Sequence, residues 1–191
     1  WSYTNTEYWI PGATYWFKAV YPHGIATVDN DDSSSIKLSV AETPSEIDYL
    51  IAENGPITSV EGYSETVNLQ FEHVLTSVGL NIWRDGGKHQ NDKMRIKKVT
   101  LGNICKSGVY STATHTWTYN SEPANPFGDM MLLPQTLDAS NSVSLKIVYQ
   151  LKRQNAADWE EAELETVLPS STWKAGNRYT YNVVLSSVTD I

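Results

Sequence analysis

The chain is short of the residues that make sites easy to recognise. It has one cysteine, three methionines, three phenylalanines and four histidines in 191 residues. The single thiol, Cys105, excludes a disulfide framework within the chain and any multi-cysteine metal site. That scarcity leaves the compartment open, because a chain of this length buries a sizeable core without staples. Basic residues are few as well: 14 Lys and Arg stand against 22 Asp and Glu, for a net charge of −8. Nucleic acid and anionic membrane surfaces need clustered Lys and Arg, so neither is an expected partner. No stretch approaches the roughly 18 apolar residues of a membrane helix. The chain begins at Trp1 rather than Met, so the lack of a visible leader carries no information on localisation.

Catalytic signatures are missing too. There is no Gly-x-Gly-x-x-Gly, no phosphate loop and no Gly-x-Ser-x-Gly elbow. His23, His73, His89 and His115 show no i, i+4 pair, and none adjoins Cys105, so neither zinc nor a histidine-assisted nucleophile is expected. Cys105 ends the apolar run Leu101-Gly102-Asn103-Ile104-Cys105 and reads as a buried, inert thiol. Asp29-Asn30-Asp31-Asp32 offers hard oxygens but lacks the glycine and distal glutamate of an EF-hand, and reads as a solvated hairpin tip. Glu161, Glu163 and Glu165 alternate with Ala162 and Leu164, which places three carboxylates on one strand face. A glycosidase instead needs two carboxylates facing across a cleft. Lys93-Met94-Arg95-Ile96-Lys97-Lys98 is the only basic run, and its alternation makes it a charged strand face. No cofactor, no metal and no enzymatic activity are expected.

What the chain does have is alternation and aromatics. Seven Trp, eleven Tyr and three Phe argue against disorder. Tyr15, Phe17, Ala19 and Tyr21 share one face of a period-two run; Ile36, Leu38 and Val40 share another. Val78, Leu80 and Ile82 follow the same rule, as do Val143, Leu145, Ile147, Tyr149 and Leu151, and finally Tyr179, Tyr181, Val183 and Leu185. Such runs predict half-buried antiparallel strands. Turn chemistry separates them, as at Pro11-Gly12, Asn54-Gly55-Pro56 and Ala175-Gly176-Asn177. Short helical turns are expected only over residues 43–50 and 71–78. The fold class expected is therefore all-β and sandwich-like.

Charge divides the chain unevenly. Residues 1–62 hold two basic and nine acidic groups, a net of −7, whereas residues 63–191 hold twelve and thirteen, a net of −1. That asymmetry predicts two units meeting near Glu61-Gly62-Tyr63-Ser64. The first, at about 60 residues, is thin for a core of its own and reads as the later part of a larger domain. Trp1, Tyr3, Tyr8, Trp9, Tyr15 and Trp16 are the aromatics with which a surface carbohydrate-binding module would stack sugars, although sandwich cores also consume such residues.

The order of segments carries a resemblance. Tyr8-Trp9-Ile10-Pro11-Gly12 leads into Tyr15-Trp16-Phe17-Lys18-Ala19-Val20-Tyr21-Pro22, then Asp48-Tyr49-Leu50-Ile51-Ala52. Val67-Asn68-Leu69-Gln70-Phe71-Glu72-His73-Val74 and Ile96-Lys97-Lys98-Val99-Thr100-Leu101-Gly102-Asn103-Ile104 follow. Leu132-Leu133-Pro134-Gln135-Thr136-Leu137 precedes the long alternating run, and Trp173-Lys174-Ala175-Gly176-Asn177-Arg178-Tyr179-Thr180-Tyr181-Asn182-Val183 closes the series. In this order the chain resembles the fimbrillin-like (Mfa-like) family of Bacteroidales surface proteins. The resemblance implies two β-sandwich domains of transthyretin-like Greek-key type, here residues 1–62 and 63–191, the first incomplete at its start. It implies a secreted lipoprotein precursor anchored at the outer membrane, the lipid being its only membrane contact. It also implies assembly with other fimbrial subunits, as a homo- or hetero-polymer, by β-strand addition, and contact with a host or bacterial surface receptor. The terminal run supplies the subunit-contact candidates: Tyr179, Tyr181, Val183 and Leu185 on the last strand, and Val188 and Ile191 on a tail able to act as a donor.

Overall fold

A computed structural model of the chain describes residues 8–28, 32, 35–40, 47–63, 66–85, 91–121 and 130–185. Among them every regular element is a strand, as the alternation predicts. The strands are β1 (Thr14–Tyr21), β2 (Ala26–Val28), β3 (Ile36–Val40), β4 (Leu50–Thr58), β5 (Phe71–His73), β6 (Thr76–Arg84), β7 (Lys93–Gly102) and β8 (Cys105–Ser111). They continue with β9 (Thr116–Ser121), β10 (Met130–Leu132), β11 (Gln135–Leu137), β12 (Ser144–Lys152), β13 (Glu160–Val167), β14 (Ser171–Trp173) and β15 (Arg178–Leu185). Their sheets run β1-β4-β5, β2-β3-β8-β9, β10-β6-β15, β13-β12-β7 and β11-β14.

Two apolar cores hold these sheets together. The larger is mostly aliphatic: Val78, Val99, Leu101, Leu132, Leu145 and Ile147 surround Trp173, each at most 2% exposed. Burying one such side chain stabilises the fold by roughly 1.5–3 kcal/mol. The smaller gathers Leu38, Val40, Ile51, Val74, Leu75, Cys105 and Leu133, with Tyr110, Trp117 and Met131 packed against them. Around β10, alternate residues serve different cores. Met130 and Leu132 enter the larger one, Met131 and Leu133 the smaller, as side chains on opposite faces of a strand must.

The pairs β3–β8 and β4–β5 join strands on either side of the Glu61-Gly62-Tyr63 segment. Gly55 lies where β4 comes close to β1, at the register shift between Tyr15 and Phe17. Its φ is +128°, and a Cβ there would lie 2.7 Å from the Tyr15 carbonyl oxygen, so only glycine fits without strain.

Two expectations fail. Residues 71–78 form β5 and the start of β6, not a helical turn. Val74 and Leu75 are buried in the smaller core, and strand pairing of β5 with β4 satisfies the preceding backbone. In the other segment assigned a helical turn, residues 43–46 lie outside the described residues, and Leu50 opens β4. The last strand is also not antiparallel: β15 runs parallel to β6, from Arg178 opposite Ser77 to Leu185 opposite Arg84. Periodicity reports which face of a strand is buried and carries no information on the direction of its neighbour.

Candidate functional site

The terminal strand is the place to build from, because it is long and paired on one side. β6 lies along one edge of β15, and among the described residues no strand lies along the other. The Ser77 amide donates to the Asn177 carbonyl at 2.9 Å, and the Asp85 amide to the Leu185 carbonyl at 3.2 Å. In a parallel ladder a residue turns both its N–H and C=O to the same neighbour, and the next residue turns both away. Odd-numbered residues from Asn177 to Leu185 therefore bond β6. The N–H and C=O groups of Thr180, Asn182 and Val184 point outward, without a hydrogen-bond partner among the described residues. From Tyr179 to Leu185 the strand carries no charge.

The side chains of the expected contact residues face inward. Tyr179, Tyr181 and Val183 are half-buried against the larger core, and Leu185 is 4% exposed within it. The Trp173 indole N–H donates to the Tyr181 hydroxyl at 2.9 Å, with the rings edge to face. The Tyr179 hydroxyl donates to the Thr172 carbonyl at 2.8 Å and accepts from the Lys174 amide at 3.1 Å. These bonds brace β15 from within and leave its outer backbone row, rather than its tyrosines, accessible. Val188 and Ile191 lie outside the described residues.

On the opposite face Asn81 donates to the Asn182 side-chain oxygen at 3.2 Å. Beyond it Trp83 and Val184, opposite one another in register, are 44% and 48% exposed. This apolar pair was not singled out in the sequence, although its polar-to-apolar change after Asn182 was there to read. At the same end of β6, Arg84 holds Asp92 at 3.1 Å, so the β15 sheet is tied to the start of β7.

A fimbrillin-like family model matches residues 1–191. The chain belongs to the fimbrillin-like family. Two solved structures resemble it. One, a candidate cell adhesion protein from Bacteroides uniformis, has 18% identity and a TM-score of 0.51, covering 91% of this chain and 68% of that one. The other, a candidate cell adhesion protein from Bacteroides thetaiotaomicron, has 18% identity and a TM-score of 0.43, covering 96% of this chain and 72% of that one. At such identity the likeness is one of fold. No curated protein matches by sequence.

Cys105 is 8% exposed, and burial pushes its thiol pKa up, away from the thiolate a nucleophile requires. His73 meets the Asp48 carboxylate, and His115 lies 3.8 Å from Glu53; His89 and residues 29–31 lie outside the described residues. No described residues form a group of three His, Cys, Asp or Glu able to hold a metal. Of the aromatics considered for sugar stacking, Trp1 and Tyr3 lie outside the described residues. The Trp9 ring is held between Tyr15 and Tyr63, each with its centroid 4.7 Å away and edge to face. Tyr8 is 79% exposed beside them.

Proposed function

We propose that this fimbrillin-like chain is a non-enzymatic fimbrial subunit or adhesin-type protein of the cell surface. Family membership supports that role, and the unpaired edge of β15 supports the means of assembly. Thr180, Asn182 and Val184 present outward backbone donors and acceptors over an uncharged strand. A strand from another subunit adds there by main-chain hydrogen bonds, and the exposed Trp83–Val184 pair gives its outer-face side chains an apolar contact. Residues 186–191, with Val188 and Ile191, are the proposed donor segment for the next subunit. The precursor is a lipoprotein anchored at the outer membrane.

The single observation that carries this reading is the one-sided pairing of β15. Proline at position 182 tests it, since it removes an outward N–H and spares the ladder to β6. In the full-length protein Asn182→Pro is expected to abolish polymerisation while the monomer keeps its fold. Polymers of unchanged length would overturn the assignment of this edge. Deleting residues 186–191 tests the donor separately: polymerisation that continues unchanged removes the tail from the mechanism.

Glycan binding is the second reading, favoured by one observation. Tyr8, Trp9, Ile10, Tyr15 and Phe17 line a cleft of about 430 Å³ beside the first strand. Tyr8→Ala and Trp9→Ala on a glycan array test it, and absence of any bound glycan in the unmodified protein counts against it.

A further inference from the structure

The sheet β13-β12-β7 has two free edges of opposite charge. Along β13 stand Glu160, Glu161, Glu163 and Glu165, with no basic residue. Along β7 stand Lys93, Arg95, Lys97 and Lys98, with no acidic one. Neither strand has a second neighbour among the described residues, so both edges expose unpaired backbone groups. Charge of one sign at an edge blocks pairing with an identical edge. Here the opposite sign across the sheet lifts that block for a single arrangement: β13 of one copy beside β7 of another.

The register supports this geometry. Rows cross the sheet as Glu161, Gln150 and Arg95, and as Glu163, Val148 and Lys98. A bulge opposite Val148 and Tyr149 brings Lys97 in beside Lys98. Both outer strands are antiparallel to β12, hence parallel to each other. A second copy set alongside in the same orientation therefore lays its β7 along β13 and brings Lys97 and Lys98 to the level of Glu163. Interactions within the chain use part of the charge. Lys146 pairs with Glu163 at 2.7 Å, Arg95 donates to Gln150 at 2.8 Å, and its guanidinium lies 4.3 Å over the Trp159 ring. The side chains of Glu165, Lys93, Lys97 and Lys98 make no hydrogen bond or ion pair among the described residues.

We infer that the occupant of the acidic β13 edge is the basic β7 edge of a second copy of this chain, in a heterologous side-by-side contact. The contact propagates, because each copy leaves one edge of each sign open. Its charges set partner and register and make the contact salt-dependent. It is separate from strand addition at β15, which lies in another sheet.

Charge exchange tests it. The 191-residue chain is followed by sedimentation velocity at about 20 mM and about 500 mM salt, where screening lengths differ severalfold. Reversible association at low salt, at least about tenfold weaker at high salt, is expected. The E161K/E163K/E165K variant has two basic edges and the K93E/K97E/K98E variant two acidic ones. Each alone is expected to lose association, and an equimolar mixture to regain it as an alternating complex. The milder E161Q/E163Q/E165Q set keeps the fold intact if the reversals do not, and is expected to weaken association without restoring it in any mixture. Asn182→Pro leaves this contact unchanged, so its failure and that of the β15 reading are distinguishable. A wild-type chain that stays monomeric at low salt, or reversed variants that do not recover on mixing, overturns the inference.

Discussion

The edges of two sheets in one molecule are built on opposite rules. The β13 and β7 edges carry four like charges each, and β15 carries none between Tyr179 and Leu185. All three alternate, and each turns an apolar face towards the larger core. The difference lies at the outward positions, where Thr180, Asn182 and Val184 replace Glu or Lys. A charged edge selects its neighbour by sign. An uncharged edge selects only by length and pleat, and so accepts a strand of many sequences. One chain thus keeps a permissive edge where strand addition is proposed and restricts both edges of the β13-β12-β7 sheet.

The comparison breaks most completely if the inner brace of β15 is removed. Trp173 is 1% exposed and bonds Tyr181. Trp173→Ala is expected to cost about 3–5 kcal/mol, read from the urea midpoint. A loss under about 1 kcal/mol would mean that the larger core does not depend on it. A smaller effect separates the two backbone rows of β15. Val183 turns its N–H to β6, and Asn182 turns its own outward. Val183→Pro is expected to cost about 1–3 kcal/mol through the lost ladder bond, and Asn182→Pro under about 1 kcal/mol. Equal losses would mean the ladder parity is wrong, and with it the assignment of Thr180, Asn182 and Val184 to the open edge.

Much of this was legible because period-two burial is a local property. Ile36, Leu38 and Val40, or Leu145, Ile147 and Tyr149, mark their buried faces without reference to any neighbour. The charged face at Glu161, Glu163 and Glu165 could be read in the same way. Pairing was not legible. Nothing in Tyr179–Leu185 names β6, about a hundred residues earlier, as its parallel partner. Residues 71–78 misled because Phe71, Val74, Leu75 and Val78 have helical spacing, while tertiary contacts place Val74 and Leu75 in one core and Val78 in the other. The contact candidates rest on the family resemblance, which points to the terminal strand, and not on exposure of their side chains by alternation. Alternation instead put Tyr179 and Tyr181 inside and left the backbone as the available part of the strand.

The smallest effect belongs to the charged sheet and shows how much of its field points outward. Lys146 stands on β12 between the two edges, and the hydrogen bond to Glu163 holds its ammonium pKa above the ordinary 10.5, against the opposing effect of desolvation. A raised folded value means that this pairing stabilises the fold fully below the unfolded pKa. The contribution fades as pH rises through the folded one. Titrating the Lys146 ε-methylene by NMR is expected to give a higher midpoint in the unmodified chain than in Glu163→Gln. Equal midpoints would mean that the 2.7 Å contact does not persist in solution. If it does persist, Glu163 is partly neutralised from within its own sheet, whereas Glu165, which raises the Lys146 pKa less than Glu163 does, has no ion pair among the described residues. Reversing Glu165 alone should then weaken the side-by-side contact more than reversing Glu163 alone, because a charge already paired inside its sheet has less field left for a neighbour.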